Sequence, residues 1–518
     1  MVDVLLIDVS GINQKRIGEP NGISYICSYL RKDGYNVRII EPSVNGDSCE
    51  SVISEIIELN PRVLGLSISQ DKDVYHSKLI IDKIKEKKVN CKIVIGGHSA
   101  SIAIYNEDPY YYELLKKVDC AIIGDGEIIF SKVVKCIDDS QDFKDIGGLA
   151  FWEDGIKINK NCDYCHDLDS LPFQSRDVYE QLMEKYKFPI TASMVSSRGC
   201  YHNICTFCSI SSYSKMIGQK VRYRSIENII SEIKMLKEKY NVEEIIFDDD
   251  NFIAPGEFGE KRILEFCDAL KSNNIKIKFG FECRINDISF NTFKLLKEAG
   301  LTTIFIGVEA YENKSLKFFG KGYTEDDVIK SYKILNDLGF SFSVDSKDRV
   351  YAGLILWHPK LNIDMLEKTF ECYQRFELPI KHFLNKLSIY SNSPLEKYAI
   401  KQNCPKDENN CYIWKYEEAY MHNVEELITN FIKRAMDTRD RIRICEKTNA
   451  YDSNTIEEMK EYRKRFDKMC CDFIRECINS YKSEGTYNPD SKYKELSELE
   501  EESKNKFGLE KTVFLFRR

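Results

Sequence analysis

The stretch "RGCYHNICTFCSI", residues 198–210, places three cysteines close together, at Cys200, Cys205 and Cys208, and supplies no fourth. Structural zinc prefers a closed shell of four ligands, and a disulfide needs an oxidising compartment. Soft thiolates select zinc, copper(I) or iron–sulfur clusters, and a coordination position left open fits a 4Fe-4S cluster with one bare iron. The stretch therefore predicts a metal-cluster loop, directly after a predicted strand.

The whole-chain composition is typical of a soluble globular protein: of 518 residues, 43% are hydrophobic and 31% are charged. The formal net charge of −8 argues against general nucleic-acid binding, which usually requires a basic surplus. The opening "MVDVLLIDVSG" predicts a strand and not a signal peptide, and no apolar run approaches the length of a membrane span. We therefore expect a cytoplasmic protein without a membrane partner, in which the 19 cysteines stay reduced.

Residues 1–138 alternate short apolar runs with amphipathic patterns of helical period. The predicted strands are "VDVLLIDVS", "YNVRIIEP", "RVLGLSIS", "CKIVIGGHS" and "VDCAIIGDGE". This alternation predicts a doubly wound parallel sheet, and such sheets bind ligands at the carboxyl ends of their strands. Small or polar residues stand at those ends, in "EPNG", "SISQ", "GGHS" and "GDGE", which favours a ligand site. Their spacing is not that of a G-x-G-x-x-G dinucleotide site.

Three further regions follow this first domain. Residues 139–190 contain "IGGLAFWEDGIKINKN", a predicted hairpin with Asp154-Gly155 at its turn, and then the linker-like "DLDSLPFQSRD". Residues 191–400 alternate about six strands with helices, which predicts a partial or full (β/α) barrel. Residues 401–518 read as charged helices and end in a strand candidate, "TVFLFRR".

In this setting the sequence resembles the cobalamin-binding branch of the radical S-adenosylmethionine (SAM) superfamily. The resemblance rests on "RGCYHNICTFCSI", "VRYRSIENIISEI" and "IIFDDDNF", on "IGGHSAS" and "DCAIIGDGE" in the first domain, and on the segments "DLDSLPFQSRD" and "LSIYSNSPLEKY". These segments follow the family's order over residues 1–400. The cysteine spacing departs from the family, which usually has C-x3-C-x2-C; this chain has C-x4-C-x2-C, which predicts a bulged loop around the same cluster.

The resemblance implies a 4Fe-4S cluster held by Cys200, Cys205 and Cys208. SAM would bind its fourth iron and be cleaved by one electron to a 5′-deoxyadenosyl radical. The resemblance also implies that an aromatic residue beside the second and third cysteines, and charged residues at the following strand ends, contact SAM. These are Phe207, Asp249, Asp250, Arg284 and Glu309. For the four charged residues, an ordinary ion pair at a strand end is the alternative interpretation.

The resemblance further implies that the first domain is a Rossmann-like cobalamin-binding domain. It has no D-x-H-x-x-G motif, which supplies a cobalt ligand in many other cobalamin proteins, and we assign no histidine to cobalt, His98 included. The candidate cobalamin contacts are Asn21, Ser67, Ser69, Gly96, Gly97, Gly124, Gly126 and Glu127. The domains are then a cobalamin domain (1–138), a hairpin and linker (139–190), a partial radical SAM (β/α)6 barrel (191–400) and a helical domain (401–518).

The function implied by the resemblance is enzymatic, and its leading interpretation is methylation of an unactivated carbon or phosphorus centre. One SAM would methylate cobalamin, and a second would make the radical that removes a substrate hydrogen before methyl transfer. Two alternatives stay open: a cyclisation or rearrangement with the same cofactors and no methyl transfer, and a non-catalytic cobalamin or iron–sulfur sensor. The implied partners are a small-molecule or peptide substrate and an electron donor such as flavodoxin or ferredoxin.

Overall fold

A seven-stranded sheet fills the N-terminal part of the protein. The computed structural model describes residues 2–160, 164–187, 190–218, 221–343, 346–446 and 451–509. The strands are β1 (Val4–Asp8), β2 (Val37–Ile40), β3 (Val63–Ser67), β4 (Lys92–Gly96), β5 (Cys120–Ile122), β6 (Leu149–Trp152) and β7 (Ile156–Ile158). They lie in the order β2-β1-β3-β4-β5-β6-β7, and the first five are parallel. The predicted doubly wound sheet is confirmed.

Helices cover both faces of this sheet. They are α1 (Asn21–Lys32), α2 (Cys49–Leu59), α3 (Asp73–Glu86), α4 (His98–Tyr105), α5 (Tyr112–Leu115) and α6 (Gly126–Asp138). Successive residues of a strand point to opposite faces. Accordingly, Val4 and Leu6 of β1 belong to one buried cluster, and Leu5 and Ile7 belong to another. Because both faces are buried, the strands read as continuous apolar runs in the sequence.

The predicted hairpin extends the sheet by two antiparallel strands. β6 pairs with β5 and β7 pairs with β6, both antiparallel. Asp154 and Gly155 both have positive φ, at 51° and 139°, as expected of an Asp-Gly pair in a tight hairpin turn. The hairpin prediction is confirmed.

A second parallel sheet forms the open barrel. Its strands are β8 (Ala192–Met194), β11 (Glu244–Phe247), β12 (Lys278–Arg284), β13 (Leu301–Glu309) and β14 (Arg349–Leu354), in the order β14-β13-β12-β11-β8. Two short strands, β9 (Ser197–Arg198) and β10 (Arg222–Tyr223), pair with each other beside it. The helices are α7 (Asp177–Tyr186), α8 (Ser209–Ile217), α9 (Ile226–Tyr240), α10 (Gly256–Ser272), α11 (Phe290–Ala299), α12 (Asn313–Phe318), α13 (Glu325–Asp337) and α14 (Ile363–Arg375).

The predicted sixth strand, "FLNKLSIYS", joins this sheet by only one parallel bridge, between Trp357 and Lys386. A longer parallel ladder would use the carbonyl groups of Phe383 and Leu387 as acceptors, and two indole rings bond to these carbonyls instead. The Trp357 indole donates to the carbonyl of Phe383 at 2.7 Å, and the Trp414 indole donates to that of Leu387 at 2.8 Å. Five strands therefore form the ladder, and the sixth segment continues it as irregular chain.

The C-terminal part of the protein is helical, as predicted. After α15 (Glu396–Lys401), the helices α16 (Met421–Glu446), α17 (Ser453–Glu484) and α18 (Asp490–Phe507) pack together, with Phe431 stacked on Phe473 at 3.9 Å between centroids. A two-residue pair, β15 (Ile389–Tyr390) and β16 (Cys411–Tyr412), lies before them. The strand candidate "TVFLFRR" lies outside the described residues. Among the described helices, none combines the length and apolarity of a membrane span.

A buried ion network joins the first domain, the linker and the barrel. Arg176, in the linker, donates to Glu19 at 2.9 Å and to Glu232 on α9 at 2.7 Å. Arg224 donates to the other oxygen of Glu232 at 2.6 Å. The Glu232 side chain is fully buried, so its charge depends on these two guanidinium groups, and theirs depend on it.

We predict that Glu232→Gln lowers the free energy of unfolding by about 3–5 kcal/mol, because it removes the carboxylate that pairs with the buried Arg224, whereas Arg176 keeps Glu19. Urea unfolding followed by circular dichroism measures the change. Glu238→Gln, at an exposed position of the same helix, is the matched control and should change stability by less than about 0.5 kcal/mol. Equal stability of the two variants would contradict the prediction.

Candidate active site

A cavity of about 400 Å³, partly open to solvent, lies between the first sheet and the barrel. One wall is the carboxyl edge of β3, β4 and β5, and the other is the segment around β9 and α8. Gly199 and Ile210, which flank the cysteine loop, line this second wall. The two regions that the sequence singled out therefore share one space.

Most of the predicted cobalamin contacts line this cavity. They are Asn21, Ser67, Gly96, Gly97, Gly124, Gly126 and Glu127. Ser69 is the exception: it is exposed and is not among the lining residues. β3 ends at Ser67, so the alternation of side chains along the strand does not fix the direction of Ser69, which lies in the loop beyond it.

Two glycines of this sheet edge are required by close packing within the protein, and a third meets open space. A Cβ at Gly97, whose φ is 103°, would lie 2.6 Å from the carbonyl oxygen of Ile68. A Cβ at Gly126 would lie 2.8 Å from Ile26. Gly22 also lines the cavity, and a Cβ there would meet open space. A bare backbone edge of this kind fits a large flat ligand such as a corrin ring.

Glu127 carries an unsatisfied acceptor at the cavity wall. Its side chain is buried, and one carboxylate oxygen accepts a bond from Arg198 at 2.6 Å. The other oxygen has no hydrogen-bond partner in the described structure. Because a buried acceptor without a partner is costly, this oxygen is suited to a ligand that donates hydrogen bonds. The amide side chains of cobalamin are donors of this kind, so the residues present fit the cofactor.

The neighbouring carboxylate fixes the two walls to each other. Asp125, just before α6, accepts bonds from Arg222 at 2.5 Å and from Tyr213 at 2.9 Å, and lies 3.3 Å from Arg198. The nearby arginines hold the pKa of Asp125 below its usual range although burial opposes them. All three partners belong to the barrel side, so the cavity has a fixed width.

The cysteine loop runs from β9 to α8, and all three thiols are half-buried. The backbone N–H groups of Ile210 and Ser211, in the first turn of α8, partly offset the effect of burial on the pKa of Cys208. Burial raises the pKa of Cys208 to about 11. Burial also raises the pKa of Cys205, whereas the nearby Lys321 and Arg284 lower it. Burial therefore favours the neutral thiols, and the N–H groups and cations around the sulfurs partly offset this preference toward the thiolate, the form that binds metal.

The described ranges contain no group of three or more His, Cys, Asp or Glu side chains placed to hold a single metal ion. A four-iron cluster binds a separate iron at each sulfur, so its fit rests on the number and softness of the donors. Three thiols on one short loop, beside a helix N-terminus, supply such a donor set.

The extra residue of the C-x4-C spacing is accommodated by a left-handed residue. Asn203 has φ of 43°, a conformation that asparagine adopts more readily than other residues with a side chain. The loop is then anchored on α12. The amide of Thr206 donates to the carbonyl of Phe319 at 3.0 Å, and His202 bonds to the carbonyl of Gly320 at 2.8 Å. His202 is thus tied to the barrel.

Phe207, the predicted aromatic contact, packs edge-to-face on Phe319 at 5.5 Å. Lys321 lies 5.8 Å from the centre of its ring. These contacts hold Phe207 in one orientation beside the cysteine loop.

The two predicted aspartates at the end of β11 face different surroundings. Asp249 is buried, and its carboxylate accepts bonds from the amide and hydroxyl of Ser196 and from the hydroxyl of Ser197. Asp250 lines the cavity and accepts a bond from the amide of Gly199 at 2.8 Å. Asp249 therefore shapes the chain before the cysteines, whereas Asp250 has an oxygen available to the cavity.

Arg284 and Glu309 lie on neighbouring strands and have different partners. Arg284 donates to the carbonyl of Lys321 and to the hydroxyl of Tyr201, so it also braces the cysteine loop. Glu309 pairs with Lys321 at 3.3 Å. A Cβ at Gly307 would lie 2.9 Å from the Glu309 carboxylate, so glycine makes room for this pair.

Glu282 is a site residue that the sequence reasoning missed. Burial, together with the nearby carboxylates of Glu309 and Asp250, raises its pKa to about 7, although Lys321 lowers it. The sequence of β12 could have revealed Glu282. Phe279, Phe281 and Cys283 alternate as buried residues, so Glu282 lies on the other face of the strand, toward the barrel interior. Lys321 had no comparable signal, because it lies in a loop.

Asp248 was also missed; it lines the cavity and accepts a bond from Asn21 at 2.7 Å, across the domain boundary. His98 lines the cavity as well. Its Nε2 bonds to Ser209 at 2.9 Å, its ring stacks on Tyr213, and burial lowers its pKa to about 4. These contacts agree with leaving His98 out of the cobalt ligands.

Comparisons with known proteins cover both halves of this site. A family model described as the radical SAM superfamily matches residues 194–372, and one described as the B12 binding domain matches residues 8–134. The chain is 26% identical over 395 residues to an uncharacterized methyltransferase of Pyrococcus horikoshii, which covers 74% of this chain and 79% of that protein.

Two further relatives are matched over less than two thirds of their length. The chain is 24% identical to 4′-phospho-dehydrooxetanocin synthase of Priestia megaterium, over 66% of this chain and 48% of that protein. It is also 24% identical to hopanoid C-3 methylase of Methylococcus capsulatus, over 63% and 60% respectively.

Solved structures share the fold. The cobalamin-dependent SAM radical enzyme OxsB, with aqua-cobalamin and SAM bound, has a TM-score of 0.75 at 18% identity and covers 98% of this chain and 78% of its own. The radical SAM methyltransferase TsrM of Kitasatospora setae, with cobalamin and a 4Fe-4S cluster, has a TM-score of 0.61 at 14% identity, over 78% of each chain. Together with the two matched families and the site geometry, they show that this chain belongs to the cobalamin-dependent radical SAM enzymes, whose cofactors are a 4Fe-4S cluster, SAM and cobalamin.

Proposed function

We propose that this enzyme methylates an unactivated carbon of its substrate, using SAM both as methyl source and as radical source. One observation carries the proposal: the glycine edge of the first sheet and the segment flanking the cysteine loop line the same cavity. A methyl carrier and a radical generator that share one space can act on one substrate atom. Names among the relatives, such as hopanoid C-3 methylase, support the same reaction class.

Cys200, Cys205 and Cys208 would hold the cluster, and the bare strand ends would hold cobalamin. When bound, the cofactors supply one electron, an adenosyl radical and a transferable methyl group. The chain's own residues fix where this happens. Arg198, two residues before the first cysteine, is bonded to Glu127 on the opposite wall, so the cluster loop cannot move independently of the cobalamin edge.

The carboxylates of the barrel interior suit a positively charged ligand. Asp250, Glu282 and Glu309 each have a pKa raised by burial, and Lys321 is the cation that pairs with Glu309. SAM carries a sulfonium and an ammonium against a single carboxylate. Its net positive charge would relieve the repulsion among these groups, and Asp250 and Glu282 are our candidates for holding its ammonium group.

A rearrangement without methyl transfer is the second candidate function. It is favoured by the match to 4′-phospho-dehydrooxetanocin synthase and by the high TM-score of OxsB. The two candidates differ in what becomes of SAM, because methyl transfer leaves S-adenosylhomocysteine and a radical rearrangement leaves only 5′-deoxyadenosine.

The first prediction from this proposal concerns the products of SAM. Anaerobic enzyme with cluster, cobalamin, SAM and dithionite should release both 5′-deoxyadenosine and S-adenosylhomocysteine, as measured by liquid chromatography and mass spectrometry. Cys205→Ser should abolish 5′-deoxyadenosine and lower the iron content, whereas Cys136→Ser, at a half-buried position on α6, should leave both unchanged.

If only 5′-deoxyadenosine forms, with the substrate bound, rearrangement replaces methyl transfer. If neither product forms from cluster-loaded enzyme, the protein is a sensor and the proposal is wrong. The mass of the substrate product gives an independent check, since methylation adds one CH₂ and rearrangement adds nothing.

The second prediction concerns the cobalamin wall. Gly22→Trp should weaken binding of hydroxocobalamin by more than about tenfold, because the side chain at this lining position enters open space in the cavity. Absorbance titration measures the affinity. Gly18→Trp is the control: Gly18 is also open to a Cβ but does not line the cavity, so its affinity should not change.

The third prediction concerns pH and Glu282. Glu282 is mostly neutral below pH 7 and mostly ionised above it, and Glu309, Asp250, Asp248 and Lys321 are the charged groups around it. Bound SAM favours the ionised form, so SAM affinity should rise with pH through about 7. If SAM lowers this pKa by one unit, linkage requires about a tenfold rise.

Equilibrium dialysis of cluster-loaded enzyme between pH 6 and 8 measures this affinity. Glu282→Gln should bind SAM more weakly at pH 8 and should lose most of the pH dependence. A dependence of unchanged size in the variant would assign the titration to another group and contradict the prediction.

A further inference from the structure

The outer face of the cysteine loop presents an exposed apolar residue. Ile204 lies directly before Cys205 and has 61% of its surface exposed. It is not among the residues that line the interdomain cavity. The loop thus has two sides: the flanking residues Gly199 and Ile210 meet the cavity, and Ile204 meets solvent.

The α12 segment packs against this outer side. The carbonyl of Ile204 lies so close to Gly320 that a Cβ there would be 2.9 Å away. The Thr206 hydroxyl donates to the carbonyl of Phe318 at 2.8 Å. The amide of Leu395, just before α15, donates to the carbonyl of Thr206 at 2.9 Å. The ends of α12 and α15 therefore contact the cysteine loop on both sides of Cys205, next to Ile204.

A basic groove of about 460 Å³ opens beside α12. Lys314, Lys317 and Lys360 line it together with Phe318, and Glu417 and Glu418 lie along it. All three lysines are exposed. Lys360 lies 3.5 Å from the Glu417 carboxylate, whereas Lys314 and Lys317 have no ion-pair partner among the described residues.

Two more exposed lysines, Lys397 and Lys401, lie on one side of α15, four residues apart. The whole chain has a net charge of −8, so a concentration of lysines beside the cluster loop runs against the overall charge. An apolar centre with a charged rim is the usual anatomy of a protein–protein interface. The positive rim selects an acidic partner.

The position of the groove in the barrel indicates what that partner does. α12 follows β13 and Lys360 follows β14, so the groove lies at the carboxyl ends of the strands, as does the cysteine loop. The protein also has a second basic groove, lined by Lys460, Lys464 and Lys468 of α17. That groove is also lined by residues 342–343, before β14, and 377–380, after α14, and therefore lies at the opposite end of the barrel.

We propose that the face formed by Ile204, Lys314, Lys317 and Lys360 docks an acidic one-electron carrier protein, such as a reduced flavodoxin. The carrier loses one electron and the cluster gains it, with no atom transferred and no proton moved. Electron transfer between proteins requires close approach, and Ile204 adjoins the cluster ligand Cys205. The proposal rests on the proposed function, because it assumes the cluster that Cys200, Cys205 and Cys208 would hold.

The test is a charge-reversal variant, Lys314→Glu with Lys317→Glu and Lys360→Glu, in the full-length, cluster-loaded enzyme. With reduced acidic flavodoxin at low salt, formation of 5′-deoxyadenosine should slow by about tenfold or more, because charge complementarity acts mainly on association. With dithionite, a small reductant that needs no docking surface, the rate should equal that of the unchanged enzyme.

The matched control reverses three lysines in the other basic groove: Lys460→Glu with Lys464→Glu and Lys468→Glu. It changes the net charge equally and should keep the flavodoxin-driven rate. If the control loses that rate as much as the test variant does, or if the test variant keeps it, the assignment of the face is wrong.

Binding gives a readout that does not depend on turnover. Titration calorimetry of the protein with flavodoxin should show an affinity that falls with rising salt, and the test variant should bind at least about tenfold more weakly than the control variant. If the enzyme cleaves no SAM even with dithionite, the proposed function fails while this measurement still decides the docking face. Equal binding by both variants would show that the assignment of the docking face is wrong and would leave the proposed function unaffected.

Discussion

The position of Arg198 is the constraint on which the rest of the site depends. It stands two residues before Cys200 and bonds across the domain boundary to Glu127 at 2.6 Å, with Asp125 at 3.3 Å. Both carboxylates belong to the start of α6, at the glycine edge of the first sheet. A guanidinium group and two carboxylates that are this deeply buried hold one another in place, because each would be costly to leave alone. The distance between the two cofactor regions is therefore set by the protein, before any cofactor is bound.

The charges of the barrel interior, in contrast to those around Arg198, do not balance one another. Around Asp250, Glu282 and Glu309 the acidic groups outnumber the nearby cation Lys321, and burial raises their pKa values. This arrangement is unfavourable by itself and becomes favourable when a cation enters. Ile204 lies on the outer side of the cysteine loop, and this interior lies on its inner side. Electrons can therefore reach the cluster from one side, and the reacting carbon of the substrate can approach it from the other.

The sequence predicted the two sheets, the hairpin turn at Asp154-Gly155 and the helical C-terminal region, because these depend on local periodicity and turn chemistry. It also placed the glycines at the carboxyl edge of the first sheet, since strand ends in a parallel sheet share one edge. It did not predict that the sixth barrel segment would form a single bridge. Two distant indoles, of Trp357 and Trp414, occupy the carbonyls involved, and no local pattern reveals such contacts.

By itself, then, the sequence pointed to a metal-binding loop and a ligand edge, because a triplet of cysteines after a strand and a glycine-edged parallel sheet are both short local patterns, and its resemblance to the cobalamin-binding radical SAM enzymes implied the cofactors. Only the tertiary structure decided which polar residues serve that chemistry. It turned Asp249 inward onto Ser196 and Ser197 and brought Glu282 and Lys321 to the barrel interior. The direction of a side chain at a strand end depends on neighbours that are far away in the chain, and those neighbours meet only when the barrel and the first sheet pack together.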